Sequence, residues 1–354
     1  MSIRAAIIGT GMQRKPDGTV RRGISYQHAP AYLSHPDTEL VALADIKPEN
    51  ALAYAEHFTI KPAIYPDYRE MLAEAKPDIV SVCVWTALHP EIVAGCAEAG
   101  VRAIHCEKPM APTWGEAKRM AALCEAAGVQ LTFNHQRRFG PPFRTAKELL
   151  KQGVVGDLVR LEGRCANMMD WGTHWLDMFF FYNDDVAPSW VLGQIDKRTD
   201  KSVFGLQMDD QAVCWFGFAN EVQALLLTGQ HAERGPFNRI IGTTGVIEVS
   251  EGANPVRYQS EAAAGWQIAM EAGSLHGPEA FRGAIHDAID SLVAGREPEL
   301  AARKALLATE VIFATYESSR YRGRIDLPLE PEDSALLTMM EQGLMGPERP
   351  LPVK

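Results

Sequence analysis

Short apolar runs alternate with alanine-rich amphipathic segments over the first third of the chain. The apolar runs lie at residues 3–8, 40–44, 78–84, 102–106 and 129–133. Strands that alternate with helical segments in this way form a parallel sheet with helices on both faces. Because two glycines follow the first run directly, we predict a Rossmann dinucleotide-binding domain over residues 1–133.

The pattern changes after residue 134. One helix is expected up to Leu150, and residues 157–165 then alternate between polar and apolar side chains. Further strand-like runs lie at 189–195, 211–217, 222–228, 238–242 and 245–249, and helical patterns return at 278–294 and 301–321. Strands grouped in this way predict an α+β domain over residues 134–354 with a large, mostly antiparallel open sheet. The predicted fold class is therefore α/β.

Composition and charge narrow the class of protein. At 354 residues the chain is long enough for two domains with full cores. The net charge of −10 argues against a nucleic-acid partner, because no basic domain is present to neutralise phosphates. No apolar run approaches the ~20 residues of a membrane span, and the six cysteines lack CxxC spacing. We therefore expect a cytoplasmic protein with reduced thiols and no membrane association.

Gly9 and Gly11 stand where a dinucleotide-binding fold needs a tight turn. Glycine at these positions lets backbone N–H groups, including that of Met12, approach a pyrophosphate. The third glycine of such a turn is missing, and residues 13–22 form an insertion rich in Lys and Arg. We expect Gly23, which precedes the first helix, to take over the packing role of the missing glycine.

Asp45 ends the second strand. An acidic residue at this position bonds to the adenosine ribose hydroxyls of NAD and repels a 2′-phosphate. The alternative is that Asp45 caps the helix that begins near Pro48. NAD is therefore the expected cofactor, with NADP as the alternative because Lys47 and the basic insertion offer positive charge.

The end of the run 79–84 is expected to lie beside the dinucleotide. Trp85 and Thr86 follow this run directly and are predicted to contact the cofactor. His89 comes next, either as a further cofactor contact or only as the first residue of a helix.

Lys108 follows the run 102–106 within the sequence Cys106-Glu107-Lys108-Pro109. A lysine at the carboxyl end of a parallel strand faces the crevice in which open α/β sheets bind ligands. The alternative is a surface lysine without a ligand, which the following proline and the polar cluster downstream argue against.

Asp170 and His174 stand four residues apart at the start of a predicted helix, so both lie on one side of its entrance. A carboxylate in this position orients an imidazole and stabilises its protonated form, as a general base requires. Taken alone, an N-cap aspartate and a packed core histidine would explain the pair better. A zinc site that adds Asp177 lacks a second histidine at ligand spacing, so no metal site is predicted.

The order of these features resembles the glucose–fructose oxidoreductase / inositol dehydrogenase / rhizopine-catabolism (Gfo/Idh/MocA) family over nearly the whole chain. The similar features are the glycine turn, Asp45, Glu107-Lys108-Pro109, Arg137-Arg138-Phe139, Gly153 to Gly156, the Asp170/His174 pair and Gly242-Thr243-Thr244-Gly245. The insertion 13–22, the missing third glycine and Val84-Trp85-Thr86, where the family often has Thr-Pro-Asn, depart from the pattern.

The resemblance implies an enzyme that moves a hydride between nicotinamide and a hydroxyl or ketone of a sugar, polyol or sugar derivative. His174 is then the base, Asp170 orients it, and Lys108 hydrogen-bonds the reacting oxygen, although His174 and Lys108 could exchange roles. The implied cofactor contacts are Gly9, Gly11, Met12, Asp45, Trp85, Thr86, His89, Glu107 and Lys108. The implied substrate contacts are Lys108, Arg138, Asn167, Asp170, Trp171 and His174. Trp171 offers an aromatic face suited to a pyranose, unless it is a core tryptophan.

Two other classes of protein fit the same motifs. An NAD-dependent glycosidase would oxidise its substrate transiently, eliminate the aglycone, add water and return the hydride, so NADH would not accumulate. A non-catalytic sugar sensor would have no need for Lys108, Asp170 and His174. The resemblance also implies a homodimer or homotetramer that pairs through the open sheet, because helices are available for only one of its faces.

Overall fold

The computed structural model describes residues 2–14, 20–230, 232 and 234–347. Its helices are α1 (Ser25–Ser34), α2 (Pro48–Phe58), α3 (Tyr68–Ala75), α4 (His89–Glu98), α5 (Trp114–Ala126), α6 (Pro141–Lys151), α7 (Thr173–Tyr182), α8 (Pro278–Ala294), α9 (Ala302–Tyr321) and α10 (Ala335–Glu341). Its strands are β1 (Ile3–Ile8), β2 (Met12–Arg14), β3 (Val20–Arg22), β4 (Thr38–Ala44), β5 (Ala63–Tyr65), β6 (Ile79–Val82), β7 (Ala103–Cys106), β8 (Gln130–Phe133), β9 (Leu158–Cys165), β10 (Pro188–Asp196), β11 (Ser202–Val203), β12 (Leu206–Gln207), β13 (Gln211–Phe218), β14 (Gln223–Thr228), β15 (Asn238–Gly242), β16 (Gly245–Val249), β17 (Val256–Ser260), β18 (Gln267–Met270) and β19 (Ile325–Asp326). Shorter helical turns lie at Thr86–Leu88, Gln136–Phe139 and Met168–Gly172, the last of them π-helical.

The first compact unit comprises the residues up to Ala111, Lys118–Gln136 and Pro278–Ala302. Its strands pair in the order β5-β4-β1-β6-β7-β8, and all of these pairings are parallel. Every residue of β6 and β7 is buried, as expected for a parallel sheet that is covered on both faces. The predicted Rossmann-type sheet is confirmed.

Helix α8 belongs to this first unit although it comes from the distant end of the sequence. Its residues Ile285 and Ile289 share a buried core with α1 and with the parallel strands. The predicted boundary between residues 1–133 and 134–354 therefore differs from the structure, because residues 278–302 complete the helical cover of the first sheet.

The second unit comprises Pro112–Ala117, Arg137–Gly277 and the residues from Arg303 onward. Its main sheet has the strand order β18-β17-β16-β15-β9-β14-β13-β10-β19. Neighbouring strands are antiparallel except β9 and β14, which are parallel. The prediction of a large, mostly antiparallel sheet is confirmed.

Helices α7 and α9 pack on the same face of this sheet at two glycines. A Cβ on Gly163 of β9 would lie 2.7 Å from the ring of Phe179 in α7, and one on Gly193 of β10 would lie 2.6 Å from Thr315 in α9. Glycine at these positions lets each helix approach the sheet closely.

In the described part of the chain, no helix is both long enough and apolar enough to span a membrane.

Candidate active site

A cavity of about 590 Å³ lies in the first unit beside the carboxyl ends of β1, β4 and β6. Ligands of parallel α/β sheets bind at this edge, just beyond the strand ends. The cavity is lined in part by Gly9, Gly11, Asp45 and Trp85, which are four of the predicted cofactor contacts. It therefore occupies the place that a dinucleotide takes in such a fold.

Gly9 makes the turn that leaves β1, and the fold requires glycine there. Its φ is +90°, and a Cβ would lie 2.5 Å from the carbonyl oxygen of Cys83. Gly11 is different, because a Cβ there would meet its nearest atoms, in Asn50 and Asp45, at ordinary distances of 3.7 and 3.8 Å. The protein itself therefore leaves room at Gly11, on the side where it lines the cavity.

The insertion after the glycine turn contains an antiparallel hairpin of β2 and β3. A hydrogen bond joins the residues on either side of the hairpin, because the Gly23 N–H donates to the carbonyl oxygen of Gly11 over 3.1 Å. A Cβ on Gly23 would lie 2.5 Å from that oxygen, so glycine at this position allows the close approach. The side chain of Met12 and residues 15–19 of the basic insertion lie outside the described part of the chain.

Asp45 joins the glycine turn to the start of α2. Its Oδ2 accepts hydrogen bonds from the N–H and the hydroxyl of Thr10, at 2.9 and 3.1 Å. Its Oδ1 accepts from the N–H of Lys47 and the side-chain amide of Asn50, at 2.9 and 3.1 Å. The N-cap of α2 is Lys47 rather than Asp45. The Asp45 carboxylate instead links the glycine turn to the start of α2, and it also lines the cavity.

Trp85 and Thr86 differ in what they present to the cavity. Trp85 lines it and is 59% exposed, so its ring is available to a ligand. Thr86 is buried and, among the described residues, does not belong to the cavity lining. Of the two predicted contacts, the structure therefore favours Trp85 alone.

His89, predicted either as a cofactor contact or only as the first residue of a helix, is fully buried at the first position of α4. Its Nδ1 lies 3.0 Å from the carbonyl oxygen of Pro109 and 3.3 Å from that of Met110. Its Nε2 lies 3.2 Å from the carbonyl oxygen of Val84. The His89 ring therefore links the segment just after β6 to the loop that follows β7.

Glu107, another of the predicted cofactor contacts, also lies in the protein interior. Its Oε1 accepts a hydrogen bond from the Asn134 amide at 2.6 Å and lies 2.9 Å from Nε2 of His28, whose Nδ1 lies 3.0 Å from the Ser81 hydroxyl. Burial acts to raise the pKa of Glu107, but the hydrogen bond and charge of His28 and the charge of Lys108 outweigh it and lower the pKa. The buried strand end is thus held by side-chain contacts of Glu107 with His28 and Asn134.

Lys108 is half-buried and follows β7 directly. Its backbone N–H donates to Oε2 of Glu107 over 3.3 Å, and a cis peptide bond joins it to Pro109. The residue before Lys108 is held by His28 and the residue after it by His89. Lys108 therefore extends from a segment that two buried histidines contact on either side.

In the second unit, the helical segment that carries Asp170 and His174 begins two residues earlier than the sequence pattern predicts. Asn167 is its N-cap, because the Asn167 Oδ1 accepts the backbone N–H groups of Asp170 and Trp171 at 2.8 and 3.2 Å. A π-helical turn over Met168–Gly172 leads into α7, and both Asp170 and His174 are buried. The N-cap alternative for Asp170 is therefore wrong, and Asn167 is a buried cap where a substrate contact was predicted.

Arg138, which was predicted as a substrate contact, lies in the interior of the second unit. Its fully buried guanidinium donates to the carboxylate of Asp177 at 2.8–3.1 Å and to that of Asp185 at 2.7 and 3.1 Å. Burial acts to lower the pKa of Arg138, but the two carboxylates outweigh it and raise the pKa above its ordinary value. Arg138 therefore forms ion pairs with two carboxylates of the second unit.

Arg137 is the functional candidate that the sequence did not distinguish from its neighbour. Its buried guanidinium lies 4.4 Å from the ring centroid of Trp175 and 5.5 Å from that of Trp171, and Nη2 lies 3.3 Å from Nδ1 of His276. Nε and Nη1 have no hydrogen-bond partner among the described residues. Burial lowers the pKa of Arg137 to about 9, against the opposing charge of Asp170 and other groups.

Trp171 is 36% exposed, so it is not a core tryptophan, whereas Trp175 is buried.

Residues 2–14, 20–230, 232 and 234–347 contain no set of three His, Cys, Asp or Glu side chains placed to hold a metal ion. Asp177, the third ligand of the zinc site considered from the sequence, forms the ion pair with Arg138 instead.

The parallel sheet, the glycine turn and the cavity at the strand ends define a nucleotide-binding α/β protein. Residues 3–135 match the model of the Gfo/Idh/MocA family, described as an oxidoreductase family with an NAD-binding Rossmann fold. This match over residues 3–135 agrees with the resemblance that the motifs of the segment indicate. The description of the family also confirms NAD as the expected class of cofactor.

Relatives with named activities match about half of the chain. The D-glucoside 3-dehydrogenase of Escherichia coli K12 is 32% identical over 48% of this chain and 46% of its own length. The D-apiose dehydrogenase of Paraburkholderia graminis is 32% identical over 43% of this chain and 37% of its own. The alignments thus span less than half the length of either relative.

A solved structure shows the same fold over more of the chain. The WlbA dehydrogenase of Bordetella pertussis, crystallised with NADH and UDP-GlcNAcA, has a TM-score of 0.73 at 22% identity. The match covers 93% of this chain and 100% of that one, so the likeness in fold extends beyond the N-terminal segment.

Proposed function

We propose that this protein is an NAD-dependent oxidoreductase that transfers a hydride between nicotinamide and a hydroxyl or ketone of a sugar, polyol or sugar derivative. The observation that carries the proposal is the cavity at the carboxyl ends of β1, β4 and β6, lined by Gly9, Gly11 and Asp45. Lys108 follows the next strand of the same sheet, β7. The names of the two sugar dehydrogenases above support the class of substrate.

The residues of the first unit fit a dinucleotide. The glycine turn would receive the pyrophosphate through its backbone N–H groups, and Trp85 offers an exposed ring beside the cavity. The Asp45 carboxylate faces the same space and disfavours a 2′-phosphate, so we expect NAD to be preferred over NADP. Bound NAD supplies the hydride acceptor, and the protein supplies orientation and proton transfer.

The acid–base chemistry is assigned to three side chains. His174 would take the proton of the substrate hydroxyl, and the Asp170 carboxylate would orient the imidazole and stabilise its cationic form. Lys108 would hydrogen-bond the same oxygen and stabilise the negative charge that develops on it.

Two residues of the second unit would recognise the substrate. The exposed face of Trp171 suits the apolar face of a sugar ring. The buried Arg137 holds two nitrogen donors that lack partners among the described residues, and a buried donor without a partner is energetically unfavourable. A hydroxyl or carboxylate oxygen of the substrate would satisfy these donors.

A panel of sugars, polyols and glycosides tests this function, with NAD and NADP supplied in separate assays. We expect one molecule of NADH to accumulate for each molecule of substrate oxidised, with NAD preferred. Free sugar released from a glycoside without accumulation of NADH would show the redox-cycling glycosidase instead. Binding of sugar without any turnover would show a sensor.

A further inference from the structure

Asp209 is a carboxylate that the proposed chemistry does not use and that is fully buried in the second unit. The backbone N–H of Met168 donates a hydrogen bond to this carboxylate, and both carboxylate oxygens lie 3.0 Å from the Met168 nitrogen. The hydroxyl of Tyr316 donates to Oδ1 at 2.9 Å, and that of Thr228 donates to Oδ2 at 3.2 Å. These donors are all neutral, so the negative charge is stabilised by hydrogen bonds and by a backbone dipole.

The bond to Met168 places Asp209 at the first residue of the π-helical turn that leads into α7. Backbone N–H groups at the start of a helix have no partner within the helix and carry partial positive charge. Asn167 accepts the N–H groups of Asp170 and Trp171, and Asp209 accepts that of Met168. Two side chains therefore hold successive parts of one turn.

The loop that carries Asp209 is itself anchored. The adjacent Asp210 accepts the backbone N–H groups of Arg198 and Thr199 at 2.6 and 2.8 Å. Two other ionisable groups also act on this site: Tyr316 from α9, and Lys197, whose Nζ donates to the carbonyl oxygen of Lys201 at 2.7 Å. Asp209 is thus part of a fixed support rather than of a mobile loop tip.

We propose that Asp209 is a positioning residue for the candidate base, because it fixes the helical turn that carries Asp170 and sets the start of the helix that carries His174. The inference rests on the proposed function, since it assigns a support to the residues that perform it. Asp209 acts through the backbone of Met168 and does not touch the substrate. Misplacement of a catalytic group by about 1 Å can lower turnover by about 100-fold, so such a support has a measurable effect on kcat.

The support depends on the charge of Asp209. Burial raises the pKa of Asp209, and the hydrogen bonds from Met168, Tyr316 and Thr228 oppose that increase. Protonation as the pH falls would weaken the bond to Met168. Removing a donor raises the pKa of this carboxyl further, so the loss of turnover on acidification should begin at higher pH.

Tyr316→Phe and Thr228→Val, which each remove one donor, test the proposal. We expect the acid limb of the kcat profile to move to higher pH by several tenths of a unit to about one unit. KM for NAD should stay unchanged, because the cavity belongs to the first unit. Tyr321→Phe is the matched control, since Tyr321 lies in the same helix and is 70% exposed. Its profile should match that of the wild type.

Asp209→Asn provides a second measurement that needs no pH profile. The amide can still accept the N–H of Met168 but carries no charge, so we expect kcat to fall about 10- to 100-fold. An acid limb that stays in place in Tyr316→Phe and Thr228→Val, together with wild-type kcat in Asp209→Asn, would overturn the proposal. A lower urea midpoint with unchanged kinetics would overturn it equally, since Asp209 would then serve stability alone. Near-normal turnover of His174→Ala identifies the separate failure of the proposed function.

Discussion

Arg137 and Arg138 are adjacent in the sequence, yet their guanidinium groups lie in opposite electrostatic surroundings. Arg138 is enclosed by the carboxylates of Asp177 and Asp185. Arg137 lies between tryptophan rings with two nitrogen donors that have no partner among the described residues. The same residue type therefore forms ion pairs at one position and, within the described part of the chain, keeps two nitrogen donors without a partner at the next.

Alanine substitutions at these two positions should have contrasting effects. Arg138→Ala leaves the buried Asp177 without its cation, so we expect the free energy of unfolding to fall by about 3–5 kcal/mol. Arg137→Ala should lose less stability, but kcat/KM for the sugar should fall. Urea unfolding and steady-state kinetics on both variants measure the contrast, and equal loss of stability with equal kinetics would contradict it.

Adjacent arginines also show a limit of the sequence at the scale of single residues. The sequence motif identifies the pair of arginines. The two carboxylates that form ion pairs with Arg138, however, lie 39 and 47 residues away in the sequence. His28, His89 and Asp209 are hidden for the same reason, since a lone histidine or aspartate gains its role from partners that are distant in sequence. Gly9, Asp45 and Lys108 could be located because a short motif fixes each of them relative to a strand end.

At the scale of elements, the glycine turn and its hairpin show which glycines the fold itself requires. Gly9 has a positive φ and no room for a Cβ, whereas Gly11 has ordinary space beside the cavity. Gly23 restores the close contact that the insertion interrupts.

Alanine at Gly9 and at Gly11 should separate these two roles. Gly9→Ala should destabilise the protein by at least about 1–2 kcal/mol, because an alanine is strained at φ +90° and its Cβ meets a carbonyl oxygen. Gly11→Ala should change stability by no more than about 0.5 kcal/mol. It should still raise the dissociation constant for NAD, since its Cβ enters the space for the pyrophosphate. Normal NAD binding by Gly11→Ala would contradict the placement of the cofactor.

The start of α7 shows why element boundaries are harder to predict than elements. Asn167 and Asp170 are both good N-cap residues, so the sequence offers two starting points for the helix. The structure uses Asn167, and the π-helical turn that results is stabilised in part by Asp209 from a distant loop. No local pattern contains that contribution.

At the scale of the whole molecule, the sequence predicts both units but not their limits, because α8 returns from residue 278 to cover the first sheet. The face of the second sheet opposite α7 and α9 is partly apolar. Leu192, Val213 and Trp215 are each 39–40% exposed on neighbouring strands. A contiguous apolar patch of this kind usually marks an interface.

We therefore expect a homodimer or homotetramer that pairs through this face. Trp215→Glu should dissociate the assembly, because it would bury a charge at the contact. Val293→Glu, on an exposed position of α8, is the control and should leave the assembly intact. Size-exclusion chromatography with light scattering measures the mass, and a monomeric wild type at micromolar concentration would contradict the prediction.

Turnover by Lys108→Ala and His174→Ala tests the central claim most directly, with Lys151→Ala as the control at an exposed lysine. Each variant should retain its fold and bind NAD. Because a positioned acid–base group contributes about 10²–10⁴-fold to rate, each should lose most of its oxidation of the sugar that the wild type uses. Lys151→Ala should behave as the wild type. Near-normal turnover in both Lys108→Ala and His174→Ala would contradict the account.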